Sequence, residues 1–485
     1  MAELKRRLNL FDATAIVAGS MIGSGIFIVS ADMARTLGSP GWLLLAWVLT
    51  GVITLAAALS YGELAGMMPH AGGQYVYLRE AFGKLPAFLY GWTLFTVIQS
   101  GTIAAVAVAF AKFSGVIFPV ISNSNWIFKI GSISHYNLGL NTENLLAIFS
   151  IIFLTWINTR GLEGGKWIQN IFTSAKILSL LGIIFIGITI GRNHLAVTQN
   201  LQNIWSTSWI RTLPVFHIEK LINLSVGFSM LGVLGVAMVG SLFSSIAWDT
   251  VTYTASETIN PKKNIPLSLG IGVGIVILLD ILVNVSYLSV LPFHGNINGS
   301  DIFSRGIQFA TNDRVGTACA EMIFGNSGAV IMALLIMIST FGCNNGIILS
   351  TARVYYAMAK DGLFFKKAGS LNKNSVPEYA LIIQCIWSCI LCASGTYSNL
   401  LDYVIFSVLI FYVLTIIGLI VLRIKKPDVE RPYKAIGYPF VPIVYIFFAT
   451  AVSIDLLILK PLYTWPGLII VLLGVPVYFL WNYKR

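Results

Sequence analysis

Gly19-Ser20-Met21-Ile22-Gly23-Ser24-Gly25-Ile26-Phe27 lies in the middle of the first long apolar run of the chain, roughly residues 11 to 30. Small or flexible residues fall here where a membrane helix should bond to itself. Glycine lowers helix stability by about 1 kcal/mol relative to alanine. In hydrocarbon a freed backbone group is costly unless something satisfies it. A Gly-Ser-Gly break at mid-depth therefore points to a cavity where a ligand or water meets exposed amides. Close helix packing through small residues explains the same glycines. On this stretch alone the two readings weigh equally.

The rest of the chain supplies the setting. It has 485 residues, 56% hydrophobic and 11% charged, with a mean hydropathy of +0.80. Soluble proteins carry about 25% charged residues, so this is an integral membrane protein. Twelve apolar runs approach the length of about 20 residues that a spanning helix needs. They lie near 11–30, 41–66, 86–118, 145–160, 168–191, 227–254, 266–291, 328–359, 380–395, 400–423, 437–459 and 465–482. Little is left for a soluble domain. The first run continues too far for a cleavable signal and lacks a small-residue cleavage site.

The net charge of +11 reflects sidedness rather than nucleic-acid binding. With a cytoplasmic N-terminus, 21 of the 31 Lys and Arg fall on inner segments, from Lys5, Arg6 and Arg7 to Lys484 and Arg485. Nine fall outside, including Arg35, Lys112, Arg211, Lys220 and Arg314. This is the positive-inside bias, with both termini cytoplasmic. Of five cysteines only Cys319 falls in a predicted outer loop, so no structural disulfide is expected. Cys389-Ile390-Leu391-Cys392 has CxxC spacing but sits inside an apolar helix, where packing is the expected role.

Lys176 alone lies deep in the membrane. It follows Lys166 by ten residues, or about 15 Å along a helix, near the midplane of a core about 30 Å thick. A lysine there costs about 2.5–3.5 kcal/mol on insertion scales. It should face the interior and meet carbonyls or a carboxylate, in a site-supporting role or a purely structural one. The sixth run carries a second interruption, Ser241-Leu242-Phe243-Ser244-Ser245-Ile246-Ala247-Trp248-Asp249-Thr250. A polar helix face inside the bundle would also account for it.

The two interruptions begin five helices apart, an odd number, so the sixth run crosses in the opposite direction. Interrupted helices at corresponding positions of inverted halves are a pointer to a transporter site. Half-helix N-termini favour an anionic group, and unwound carbonyls favour a cation. A zwitterion such as an amino acid carries both. Elsewhere Glu63 reads as an interfacial charge, Gln99 as a polar residue within the third run, and Asp280 and Asn284 as polar residues in the seventh. The loop at about 292–326 is long enough to predict a folded lid with short helices. Ser339 to Gly346, including Asn344, form a polar patch in the eighth run. The histidines, His70, His135, His194, His217 and His294, fall mostly in loops and form no HExxH motif. An enzyme is not the expected reading, and neither a metal nor a cofactor is implied. No repeated filter motif points to a channel.

Several stretches together resemble the amino acid–polyamine–organocation superfamily, near its L-type amino acid transporter branch. They are Gly23-Ser24-Gly25-Ile26-Phe27, Gly72-Gly73-Gln74-Tyr75, Glu257 to Pro261 with Asn264 to Pro266, Arg353 with Asp361-Gly362, and Lys425 to Asp428 with Glu430 to Lys434. The resemblance implies an all-α membrane protein of the LeuT type with twelve transmembrane helices. Its ten-helix core would cover 1–435 as a five-plus-five inverted repeat, with halves at about 11–191 and 227–423. Two accessory helices would occupy 436–485. It implies substrate contacts from Met21, Ile22, Gly23, Ser24, Gly25 and Ile26 on the first segment and from Phe243, Ser244 and Ile246 on the sixth. The carboxylate would meet Ser24, Gly25 and Ile26, and the amino group would meet carbonyls of both segments. Phe243 would act as the gate. Lys176 would occupy the place of a sodium ion, and Asp249 and Asn344 would support or couple the site.

Ile246 stands where the L-type branch usually has glycine, and with Asp249 it looks more like branches that carry cationic amino acids or couple to protons. Heterodimeric animal members hold a partner chain through an outer cysteine between segments three and four, and this chain has none there. The expected protein is a stand-alone, sodium-independent secondary transporter of small to medium neutral L-amino acids in the plasma or inner membrane. It would be an exchanger or proton-coupled. A cationic amino acid or polyamine transporter, or an amino-acid sensor on the same fold, is the alternative.

Overall fold

A computed structural model describes residues 4–133, 136–202, 204–207, 226–394, 397–459 and 461–483. His135, Arg211, His217, Lys220, Lys484 and Arg485, named above, lie outside the described residues.

The first apolar run is two helices. α1 (Leu10–Met21) opens with a capping box, in which Asn9 and Asp12 each accept the other's backbone amide, satisfying donors that a helix start leaves free. It stops at Ile22, and α2 (Gly25–Leu37) begins three residues later. Gly38, at φ 64°, ends α2 in the left-handed conformation that glycine adopts without strain. α3 (Pro40–Met67) starts with proline in its first turn, where the missing N–H costs nothing. α4 (Gln74–Phe82) and α5 (Lys84–Thr93) follow. A π-helical turn at Leu94–Ile98 then leads into α6 (Gln99–Ile117).

The segment after α6 forms an antiparallel hairpin, β1 (Trp126–Ile133) and β2 (Tyr136–Asn141). The membrane part is all-α as expected, but this hairpin outside it departs from a purely helical chain. Its two short Gly-containing strands carry no alternation that marks them. α7 (Thr142–Thr159), α8 (Leu162–Ile188) and the short α9 (His194–Gln202) follow.

α10 (Val226–Ser244) ends at the second interruption, followed by one turn of α11 (Thr250–Tyr253) and α12 (Pro261–Val290). The loop beyond α12 is folded as the sequence predicts. It holds α13 (Ile302–Arg305) and α14 (Val315–Phe324), which contains the buried Cys319. α15 (Asn326–Lys360), α16 (Glu378–Ser394), α17 (Tyr397–Lys425), α18 (Phe440–Leu459) and α19 (Pro461–Tyr483) follow.

Among the described residues ten helical spans are long and apolar enough to cross a membrane. The other two apolar runs lie in α10 and α16, whose apolar helical stretches are shorter, Met230–Ser244 and Glu378–Ala393. Depth in the bundle differs sharply along the chain. The α1–α2 span is 94% buried, whereas the spans of α18 and α19 are 28% and 22% buried. The broken helix is the centre and the last two helices are the periphery. α1 and α2 are enclosed by α8, α10, α12 and α15.

Glu63 corrects its sequence reading. It is fully buried, and both its oxygens accept from Arg423, at 2.8 and 2.5 Å. Arg431 and the Ala435 amide also reach it. An acid at a helix end gives no sign in the sequence that a segment 360 residues away will cover it.

Candidate functional site

The break between α1 and α2 places the last carbonyls of α1 in the protein interior, where each needs a donor. Two neighbouring helices, α8 and α15, supply them. Gln169 and Thr173 of α8 donate to the Ala15 carbonyl. Lys176, one turn further along α8, donates from its ammonium to the carbonyls of Gly19 (2.6 Å), Ile22 (2.8 Å) and Ser339 (3.1 Å). The Ser339 hydroxyl donates to Ile22 and Gly23, and the Cys343 thiol to Ser20. Of the two partners expected for Lys176 inside the bundle, carbonyls or a carboxylate, the structure gives carbonyls. Its charge is held by carbonyls of the α1 end, the break and the middle of α15, with no carboxylate among these contacts.

The glycines of the break divide between the two readings. A side chain at Gly19 would lie 2.1 Å from Gln169 Nε2 and 2.2 Å from Thr173 Oγ1, so Gly19 serves close packing against α8. Gly23 faces Cys343, and Gly25 faces Ser244, whose Cα and side chain lie 3.0 Å from the point where a Cβ on Gly25 would stand. The two interruptions therefore touch. α2 starts at Gly25 with no side-chain cap on its first amides, so its positive end points at the α10 break. Ser24 is fully buried at the start of α2, and the Ile26 carbonyl accepts from the Tyr287 hydroxyl at 3.3 Å.

The second break is made differently. α10 runs to Ser244, and Ala247 then adopts φ 66°, in the left-handed region. A non-glycine residue pays about 1–2 kcal/mol there, the kind of strain that clusters at functional sites. Phe243 and Ser244 end α10, both buried, and Ile246 sits within the break. Asp249 closes it, immediately before α11, and accepts from two hydroxyls, Tyr253 at 2.5 Å and Tyr412 at 2.8 Å. Asp249, Gln74, Tyr90, Gln99 and Thr102 line a narrow cavity. Ile246 walls both this cavity and a second, more apolar one beside Trp248 and Tyr445.

Asn344 bonds α6 rather than the α1 carbonyls. Its side-chain amide donates to the Ile103 carbonyl of α6 at 3.2 Å, while Ile22 and Ser339 gather on Lys176 of α8. The structure brings together the α1–α2 residues, Ser244 and Lys176, while the side-chain bonds of Asp249 and Asn344 go to Tyr253, Tyr412 and Ile103. Ser339 and Cys343, which dress the α1 carbonyls, were legible only as part of a polar patch.

The other sequence motifs are built around this site. Gly73 takes φ 42°, and any side chain there would strike Thr252 Oγ1 at 2.2 Å, so the Gly72-Gly73 turn can press against α11. Glu257 and Arg353 form a fully buried two-point ion pair at 2.7 and 2.9 Å. The Glu257 carbonyl accepts the amides of Arg7 and Leu8, and Ile259 donates back to Leu8, so α1 is latched at its start. Asp361 pairs with Arg79 and accepts from Tyr75. At the opposite face Arg35 of α2 donates to Asp313 and to the Gln308 carbonyl, both at 2.7 Å.

The family model described as "Amino acid permease" matches residues 8–478. The chain belongs to the amino acid permease family. This permease is similar to the "Large neutral amino acids transporter small subunit 2" of Rattus norvegicus, 30% identical over 99% of the chain and 82% of the relative. It is also similar to the "Asc-type amino acid transporter 1" of Mus musculus, 28% identical over 99% of the chain and 82% of the relative. The "b(0,+)-type amino acid transporter 1" of Homo sapiens is 29% identical over 99% and 89%. The permease is thus a multi-pass, all-α membrane protein of a transporter family rather than an enzyme family.

Proposed function

We propose that this permease is a sodium-independent secondary transporter of small to medium neutral L-amino acids, working by alternating access around the α1–α2 break. The observation that carries the reading is the Lys176 ammonium on the carbonyls of Gly19, Ile22 and Ser339. It supplies permanently, from the chain, the positive charge that a bound sodium would otherwise bring to the end of α1. The substrate carboxylate then meets the amides of Ser24, Gly25 and Ile26, and its amino group the carbonyls at Met21, Ile22, Phe243, Ser244 and Ile246. Phe243 closes over the bound molecule. The names of the relatives, as neutral and Asc-type amino acid transporters, support the substrate class.

The positive-inside bias supports cytoplasmic termini in a cell membrane. The opposed breaks support two five-helix halves at about 11–191 and 227–423, with a core over 1–435 and accessory helices in 436–485, giving twelve spans. With no cysteine in the α6–α7 segment, the permease functions without a disulfide-linked partner chain. One observation favours a second reading. Asp249 puts a carboxylate at the wall of the cavity beside Ile246, where the amine of a cationic side chain could pair with it.

The test is uptake of a mixed labelled amino-acid pool into proteoliposomes in sodium-free medium, with and without unlabelled amino acids inside. Uptake that needs the preload identifies an exchanger, and uptake without it a uniporter or proton symporter. Competition by alanine and serine but not lysine supports neutral substrates. Competition by lysine or arginine moves the assignment to the second reading. No uptake under either loading refutes amino-acid transport.

A further inference from the structure

Asp280 is a buried acid that the site described above does not use. It sits within α12, only 3% exposed, and its Oδ2 has no hydrogen-bond donor. The ionisable groups on the helices around it are committed elsewhere. Asp12 of α1 pairs with Lys166, Asp32 of α2 with Arg35, Glu63 of α3 with Arg423, and Glu257 with Arg353. Lys176 of α8 is on backbone carbonyls, Tyr253 of α11 is on Asp249, and Cys319 of α14 is a buried thiol. His194 opens α9 at the helix end, and Tyr287 of α12 itself donates to the Ile26 carbonyl. No ion pair to Asp280 exists among the described residues. A carboxylate without a counter-charge or donors is very costly in such a place, whereas the neutral acid is not.

Its position gives that proton a use. Asn284, one turn along, donates to the Asp280 carbonyl at 2.8 Å and accepts the Ser30 hydroxyl of α2 at 2.7 Å. Tyr287, the next residue on the same face, reaches the Ile26 carbonyl at the start of α2. The α12 face that carries Asp280 is therefore the seat of the half-helix whose amides bind substrate in the proposed function. Two other buried titratable groups near the breaks, Lys176 and Asp249, are saturated. Lys176 has three acceptors, and both Asp249 oxygens have donors. Asp455, the other carboxyl with an undonated buried oxygen among the described residues, is only partly buried in α18.

We propose that Asp280 is the proton-carrying carboxyl of this transporter, protonated while α2 is seated on α12 and deprotonated when α2 leaves Asn284 and water enters. One proton binds the carboxylate from one side of the membrane and leaves to the other, so substrate and proton are gated by the same movement. The inference rests on the transport reading above, and the experiment separates the two.

Full-length protein is reconstituted as wild type, Asp280→Asn and Asp280→Leu. The leucine variant also removes the proton while keeping an apolar, similarly sized side chain should the amide fold poorly. Two transport modes are measured with the labelled amino-acid pool: exchange against an internal pool, and accumulation driven by an inward proton gradient of about one pH unit. One proton per substrate supports about tenfold accumulation under that gradient. Independently of transport, infrared difference spectra seek a protonated carboxyl band that disappears in the variants. The expected result is wild-type accumulation near that limit, loss of accumulation in both variants with exchange within about twofold of wild type, and a carboxyl band present only in wild type. Accumulation by the variants equal to wild type, a wild type that exchanges but ignores the gradient, or an absent band each overturns the proposal. A band that persists in a wild type carrying no amino acid overturns the transport reading and leaves the protonated Asp280 standing.

Discussion

Replacing Lys176 with methionine removes the ammonium and keeps most of the side-chain volume. Three acceptors lose a charged donor. Ser339 O keeps the possibility of its own helix bond, and Ile22 O keeps the Ser339 hydroxyl at 3.1 Å. Gly19 O, bound at 2.6 Å by the ammonium, has no second side-chain donor among the described residues. A stranded buried acceptor costs about 1–3 kcal/mol, and a charge-assisted bond contributes about 1.5–3 kcal/mol. The end of α1 is therefore loosened by about 2–4 kcal/mol, taking one stranded carbonyl and one weakened one. At 1.4 kcal/mol per decade, substrate affinity or exchange rate should fall by about 30- to 1,000-fold. The assay is exchange in sodium-free proteoliposomes, beside thermal unfolding of the purified protein with and without substrate. Wild-type protein should gain thermal stability from substrate and the variant should not. A companion variant, Lys176→Gly, leaves the carbonyls facing a vacated space of the right chemistry for a hard cation, so added sodium should restore part of its activity while leaving wild type unaffected. Wild-type exchange by Lys176→Met in sodium-free medium, with normal stabilisation by substrate, would refute the reasoning.

Gly25→Val should abolish substrate-dependent stabilisation without unfolding the protein, because the side chain would begin 3.0 Å from Ser244; unchanged uptake would show that the two breaks need not touch. Ile246→Gly should merge the two cavities it separates and raise competition by bulky neutral amino acids by about tenfold, a gain of about 1.4 kcal/mol from the added apolar contact; equal inhibition of wild type and variant by phenylalanine would argue against it. Glu257→Gln leaves Arg353 buried without its counter-charge, which costs about 3–5 kcal/mol, and should lower the unfolding midpoint far more than Glu80→Gln does. The Lys426 hydrogen bond and Arg79 hold the Glu80 carboxyl below its ordinary range. Its contribution is therefore present at neutral pH and is lost only as pH falls through that lowered value, and at a partly exposed site it is worth no more than about 1 kcal/mol. Stability of wild type measured from pH 7 downward should show the Glu80-dependent part persisting past pH about 4.3; its loss already at pH 6 would contradict the pairing.

The two breaks were legible because hydrocarbon leaves few ways to accommodate Gly-Ser-Gly or a run of serines, and Lys176 was legible because an unpaired ammonium at that depth is so costly. The partners were harder to read. Nothing local marks Ser339 or Cys343 as donors to α1, since their roles depend on how α15 docks. Glu63 looked interfacial because its arginines arrive from α17 and the segment beyond it. Gly19 and Gly25 look alike in sequence, yet one packs against α8 and the other meets Ser244. That distinction depends on which helix faces each residue. Ala247 gave no signal at all, because a left-handed alanine is imposed by the segments on either side of it. Asp280 was visible as a polar residue but not as an unpartnered one, and only the enclosing helices show that no ion pair reaches it among the described residues.

The latches at the two faces are unequal, and the inequality bears on the order of movement. α1 is held by backbone bonds to Glu257 and Ile259, by the Asp12–Lys166 pair, and through Glu257 by the buried Arg353. α2 is held at the other face by Arg35 on Asp313 and the Gln308 carbonyl, where both charged partners are partly exposed. Exposed pairs are worth about 0–1 kcal/mol, whereas separating one partner from a buried pair costs several times more. The α2 latch is thus the weaker, and α2 is also the half-helix seated on Asn284 and Tyr287. Release at that face breaks contacts that water can replace. Release at the α1 face exposes Glu257 and Arg353 and must be driven by something that binds more tightly to the rearranged state. On the transport reading proposed above, substrate bound across the two touching breaks would supply that difference, with the Asp280 proton moving as α2 leaves its seat.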